Sequence, residues 1–316
     1  LNIPESSLRR VVIVGAGFAG LALAKKLSKK QFQVVLLDKH NYHTFQPLLY
    51  QVATAGLEPD SIAYPVRKVF SHRSNLFFRM TEVHSIDPLK KQVYTSIGEL
   101  EFDELIIATG SKTNYFGNSK IEKFSMPMKT VPEALDLRSL ILQNFEASLL
   151  TQDLKERERL MNYAIVGGGP TGVELAGALA ELKKHVLPND YPDLDIRRMS
   201  IHLIQADDRL LPGMSEASSK EALKFLKSMG VEVWLSTFVK DYDGQEVITQ
   251  KQKIPSQTLI WAAGVTGAFP SGFPEDSIVK GRLLVDAFNE IKGLKSIYAV
   301  GDVALMEEGT EKSGHP

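Results

Sequence analysis

Hydrophobic residues cluster along the chain in short unbroken runs, and several runs end in glycine-rich turns. Arg10–Val14 (RVVIV) holds three valines and an isoleucine with no interior polar position. That pattern predicts a parallel strand buried on both faces. The turn Gly15-Ala16-Gly17-Phe18-Ala19-Gly20 follows it. Leu21, Ala22, Leu23, Ala24 and Leu27 then continue as an apolar helix to about Lys29. A second strand, Phe32–Leu37, ends at Asp38. The same plan recurs about 150 residues later, as a repeated structural unit would. There the strand is Asn162–Val166, the turn runs Gly167-Gly168-Gly169-Pro170-Thr171-Gly172, and the helix runs from Val173 to about His185. Ser200–Ile204 is the next strand, reached after an insertion from Lys183 to Arg198 that carries Pro188 and Pro192.

Each unit leads into shorter, broken segments. After the first come Asn75–Arg79, Val83–Ile86, Gln92–Thr95 and Leu100–Phe102, interrupted by Asp87-Pro88 and Gly98, which predicts hairpins. Leu105–Ala108 then runs into Thr109-Gly110. After the second come Val231–Leu235, Phe238–Tyr242 and Val247–Thr249, with the turn signal Asp243-Gly244. Leu259–Ala262 then runs into Ala263-Gly264, and a last strand, Ile297–Val300, precedes Gly301-Asp302. Two β-α-β units with one shared plan predict an α/β protein with two Rossmann-like dinucleotide-binding domains. The expected division is residues 1–115 with 270–316 in one domain and 116–269 in the other.

The chemistry sits at the turns. In a strand–turn–helix context, Gly15 permits the tight turn, Gly17 lets a pyrophosphate approach the backbone, and Gly20 allows helix and strand to touch. The helix N-terminus offers free N–H groups and partial positive charge to phosphates. Asp38 stands where an acid holds ribose hydroxyls. Gly167, Gly169 and Gly172 repeat the motif, but Gln205 ends the next strand where an acid is expected. A neutral Gln205 either bonds the ribose of NADH or tolerates a 2′-phosphate with Arg209 nearby, so NADPH stands beside NADH. Thr171-Gly172-Val173-Glu174 matches a capping box, which explains Glu174 structurally. A functional role as a proton-handling or quinone-coupled carboxylate is compatible with it. Gly301-Asp302 fits a carboxylate reaching a flavin dinucleotide.

Composition then narrows the field. The 316 residues are 43% hydrophobic and 24% charged, with 37 basic and 38 acidic residues, which gives no global reason to expect nucleic acid. There is no cysteine, which excludes disulfides, thiolate-ligated metal or Fe–S sites, and flavoenzymes that work through a cysteine pair. The seven histidines lack metal-ligand spacing, so no metal is expected; His40 and His43 read as loop packing or cofactor contacts.

These turns, with Ala108-Thr109-Gly110 and Tyr298-Ala299-Val300-Gly301-Asp302, resemble the two-dinucleotide-binding-domain flavoproteins of glutathione-reductase-like fold. More specific segments resemble type II NADH dehydrogenases: His43–Thr54 (HTFQPLLYQVAT), Gly167–Ala176 (GGGPTGVELA), Arg209-Leu210-Leu211-Pro212 and Trp261–Val265 (WAAGV). The resemblance implies a FAD enzyme that oxidises NADH, reduces a quinone and pumps no proton. It implies a homodimer lying on the cytoplasmic face of the inner membrane, with quinone-lining and membrane-anchoring segments beyond Pro316. By analogy, FAD falls to Gly15, Ala16, Gly17, Ala19, Gly20, Asp38, Lys39, Tyr50, Gln51, Val83, Ala108, Thr109, Gly110, Gly301 and Asp302. The nicotinamide nucleotide falls to Gly167, Gly169, Pro170, Thr171, Gly172, Gln205, Arg209, Ala263 and Gly264, with Glu174 as the catalytic residue. Rival readings are a reductase of a protein electron carrier and a non-catalytic flavin/NAD redox sensor.

Overall fold

A computed structural model describes residues 1–27 and 31–306. The chain forms two compact units: residues 1–44, 63–112 and 265–316 make the first, and residues 45–62 and 113–264 the second. The chain passes between them at 112/113 and 264/265, and the excursion Phe45–Ile62 groups with the second unit.

The first unit is built on a five-stranded sheet in the order Ile297–Ala299, Glu104–Ile107, Arg9–Val14, Phe32–Asp38, Leu76–Met80. All four pairings are parallel. Alternate residues enter opposite faces, as the strand period requires. Val11, Ile13, Val34, Leu36 and Ile106 pack with Leu21 and Ala24 of the helix Phe18–Lys26 on one side. Val12, Val14, Val35, Leu37, Leu105 and Ile107 pack on the other side with Val93 and Leu283. The expected end of this helix near Lys29 lies outside the described residues.

The second unit repeats the design. Its five-stranded sheet runs Met126–Pro127, Thr258–Trp261, Tyr163–Val166, Ile201–Ile204, Glu232–Trp234, again wholly parallel. In each unit a three-stranded antiparallel meander stands apart: Val83–Asp87, Gln92–Thr95 and Gly98–Glu101 in the first, Val239–Tyr242, Glu246–Thr249 and Lys253–Pro255 in the second.

Three expectations need correction. Asn75–Arg79 and Val231–Leu235 were expected among the hairpins, but Leu76–Met80 and Glu232–Trp234 each extend the parallel sheet. Half-buried edge strands alternate like hairpin strands, so local pattern does not separate them. The third strand of the first meander is Gly98–Glu101 rather than Leu100–Phe102, because Thr95 pairs directly with Gly98 across a two-residue turn. The helix expected from Val173 begins at Pro170, with Gly169 as N-cap and no side-chain cap. Thr171 therefore lies inside the first turn and makes no capping box with Glu174. Proline starts a helix readily because its φ is preset and its missing N–H was an orphan there.

The capping box of this unit is elsewhere. Thr130 and Glu133 cap the helix Val131–Leu150 reciprocally. That helix buries Val131, Ala134, Leu137, Ile141 and Phe145, a 3-3-4-4 spacing that lays one apolar stripe on the core. Asn144 on the same stripe donates from Nδ2 to Thr258 Oγ1 at 2.8 Å, both side chains buried. The sequence reading did not identify this helix, nor Leu154–Met161 and Glu216–Ser228.

Candidate dinucleotide sites

Each glycine turn is fixed by contact with the next strand's end. Gly15 has φ +108°, and a Cβ there would lie 2.3 Å from the Ala108 carbonyl oxygen. Gly167 repeats this with φ +112° and 2.4 Å to the Ala262 oxygen. A Cβ on Gly20 or Gly172 would lie 1.9 Å from the carbonyl oxygen of Gly15 or Gly167, so helix and strand touch through glycine alone. The third pair has a different character. A Cβ on Gly17 would meet nothing nearer than 4.0 Å, and one on Gly169 nothing within 4 Å. Both are helix N-caps without a side-chain hydrogen bond. Each helix therefore points an N-terminus that lacks a side-chain cap at open space.

In the first unit Asp38 secures this arrangement. Its Oδ2 accepts from Ala16 N at 2.6 Å and its Oδ1 from His40 N at 2.7 Å. His43 Nδ1–H donates to the Ala16 carbonyl at 3.0 Å, and its ring meets Phe18 edge-on at 4.9 Å. Lys39 follows, exposed, and Val83 opens the meander, half-buried. Ala108-Thr109-Gly110 backs the glycine turn. Thr109 Oγ1 is buried and has no hydrogen-bond partner among the described residues. An orphaned buried hydroxyl beside an open helix N-terminus matches what a dinucleotide phosphate would satisfy. Ser111 Oγ donates to Asp302 Oδ2 at 2.8 Å, which brings Gly301-Asp302 to the same edge of the sheet as Gly110. Ala19 approaches this edge too: a Cβ on Gly301 would lie 3.5 Å from Ala19 Cβ.

In the second unit Gln205 stands where Asp38 does. It is 7% exposed, and its Oε1 accepts from Gly168 N at 2.6 Å. Its Nε2 donates to Asp207 Oδ2 at 2.7 Å, a neighbour that the sequence reading passed over. The signal was available: His40 uses the corresponding i+2 position beside Asp38. Arg209 donates to the Pro212 carbonyl at 2.5 Å. Ala263-Gly264 backs the turn. A Cβ on Gly264 would lie 2.8 Å from the Phe116 ring, whose side chain is otherwise largely exposed.

Tyr50 and Gln51 belong by packing to the second unit, on the helix Leu49–Ala53. Gln51 Nε2 donates to Tyr50 Oη at 3.0 Å. Both line a cavity of about 560 Å³ together with Glu174, Gly177, Glu181 and Phe225. Partial burial on that wall pushes the Glu174 carboxyl above its ordinary pKa, although the side chain keeps solvent contact. Pro170 and Thr171 form the first turn of its helix.

Two parallel sheets, each with a glycine turn under an open helix, define a two-dinucleotide-binding flavoprotein fold. Residues 9–315 match the family model described as pyridine nucleotide-disulphide oxidoreductase. The chain is 34% identical over 312 residues to a type II NADH:quinone oxidoreductase, Ndh, of Mycobacterium tuberculosis, covering 94% of this chain and 67% of that protein. A second protein of that organism, NdhA, is 37% identical, with 94% and 66% covered. A solved structure of NDH2 from Plasmodium falciparum in complex with RYL-552 superposes with TM-score 0.88 at 26% identity, over 95% of this chain and 64% of that one. The chain belongs to the pyridine nucleotide-disulphide oxidoreductases and, within them, to the type II NADH:quinone oxidoreductases. It spans about two thirds of the length of these relatives.

Proposed function

We propose that the first unit holds FAD, that the second holds NADH, and that the chain moves two electrons from NADH through the flavin to a membrane quinone without pumping protons. The observation that carries this is the duplicated, uncapped glycine turn, supported from below by Asp38 in one unit and Gln205 in the other. Bound FAD supplies hydride acceptance from NADH and two-electron release to an acceptor. The chain's residues bind and orient. Asp38 holds the first turn and takes ribose hydroxyls, Thr109 and the helix at Phe18 receive phosphate, and the helix at Pro170 receives the nicotinamide dinucleotide's pyrophosphate. The net reaction, NADH + H⁺ + Q → NAD⁺ + QH₂, takes one proton from the protein or solvent. Glu174, whose carboxyl is raised above its ordinary pKa by partial burial, stands at the cavity wall beside Tyr50 and Gln51 as the group to relay that proton.

A quinone substrate places the working protein at a membrane surface. No helix among the described residues is long and apolar enough to cross a membrane. Peripheral attachment at the cytoplasmic face, as a homodimer, belongs to the same proposal. The test is steady-state NADH oxidation with a soluble quinone analogue, set against oxidised carrier proteins as alternative acceptors. Quinone turnover with Glu174→Gln slowed in quinone reduction but not in flavin reduction supports the reading. Turnover with carriers alone overturns it.

A further inference from the structure

Gln205 occupies the position at which an acid ordinarily meets the adenosine ribose, yet its hydrogen bonds give it a supporting role. It lies beneath the turn: a Cβ on Gly168 would sit 3.1 Å from Gln205 Cβ and Cδ. Its Oε1 is taken by Gly168 N and its Nε2 by Asp207 Oδ2. These partners fix the amide's orientation, because a flip would set NH₂ against an N–H and oxygen against a carboxylate. In the first unit Asp38 does the supporting work with an oxygen that also carries charge. In the second, the support is neutral, and the negative charge stands two residues on.

Asp207 is exposed and well held. Its backbone carbonyl accepts from Ser236 N at 2.8 Å, and its Oδ2 is anchored by Gln205. Among the described residues its Oδ1 makes no hydrogen bond. The cation nearest in sequence that could offset it, Arg209, is turned to the Pro212 carbonyl.

We propose that Asp207, aimed by Gln205, is the specificity-determining residue at the ribose: it accepts the 2′-hydroxyl of NADH and repels the 2′-phosphate of NADPH. This rests on the reading of the second turn as the nicotinamide-nucleotide site. A neutral Gln205 thus does not open the site to NADPH, since a carboxylate reads the same position from the adjacent loop. Charge repulsion at a few ångströms near the surface corresponds to roughly a tenfold difference in affinity.

The test uses adenosine 5′-diphosphate and its 2′-phosphorylated counterpart as probes, titrated calorimetrically against the flavin-loaded 316-residue chain. The wild type is expected to bind the first about tenfold more tightly. Asp207→Asn is expected to bring the two affinities within about threefold, with an unchanged melting temperature. Equal affinities in the wild type, or a preference that survives Asp207→Asn, would overturn the assignment. Binding of neither probe would instead overturn the reading of the second turn as a nucleotide site, and this assignment with it.

Discussion

Asp38 is the single side chain on which most of the first turn depends. Its two oxygens meet two backbone N–H groups, so Asp38→Ala leaves Ala16 N and His40 N without acceptors. The expected cost is about 1–3 kcal/mol of stability, with bound flavin lost on purification. Chemical denaturation and the visible spectrum measure the two effects separately. Gly172→Ala is harsher, since its Cβ would sit 1.9 Å from backbone and no flexible side chain can yield. Loss of about 3 kcal/mol or more, or failure to fold, is expected. Glu174 gives a pH signature. Its pKa is raised by partial burial, so the folded chain binds this proton more tightly than the unfolded chain. Its stabilising contribution is therefore complete at and below the ordinary glutamate value of 4.5 and is lost as pH rises through the folded value. Melting temperatures between about pH 4 and pH 7 should show a downward step that Glu174→Gln removes.

At the scale of elements, the parallel strands and nucleotide turns were readable because each announces itself locally. Val11–Val14 and Tyr163–Val166 are buried at every position, and an unbroken apolar run has few other uses. The edge strands Leu76–Met80 and Glu232–Trp234 were not, because a half-buried edge strand shows the same alternation as a hairpin strand. The helix Val131–Leu150 has a legible start in Thr130-x-x-Glu133, but Thr171-x-x-Glu174 carries the same pattern without the cap, because Pro170 has already begun that helix. Thr130→Ala should cost about 0.5–2 kcal/mol, measured as a shift in the urea midpoint at constant slope. The site was legible to the same degree. Gly15, Gly17, Gly20 and Asp38 declare their roles by spacing. That Gln205 supports the turn while Asp207 faces outward depends on an amide's orientation, which spacing does not encode.

For the molecule as a whole, the two units share one plan: four parallel strands in equivalent order, a separate three-stranded meander, and a strand after the meander that backs the glycine turn, while the fifth, edge strand comes last in the first unit (Ile297–Ala299) and first in the second (Met126–Pro127). With no cysteine among the 316 residues, the electron route proposed for this chain runs through flavin and nicotinamide rather than through a thiol pair. The most direct test of that route is an anaerobic titration of the purified protein with NADH, following the flavin absorbance. The account predicts a yellow protein bleached by about one equivalent of NADH, because hydride transfer carries two electrons to one flavin. A chain that binds no flavin, or a flavin that NADH leaves oxidised, would contradict it.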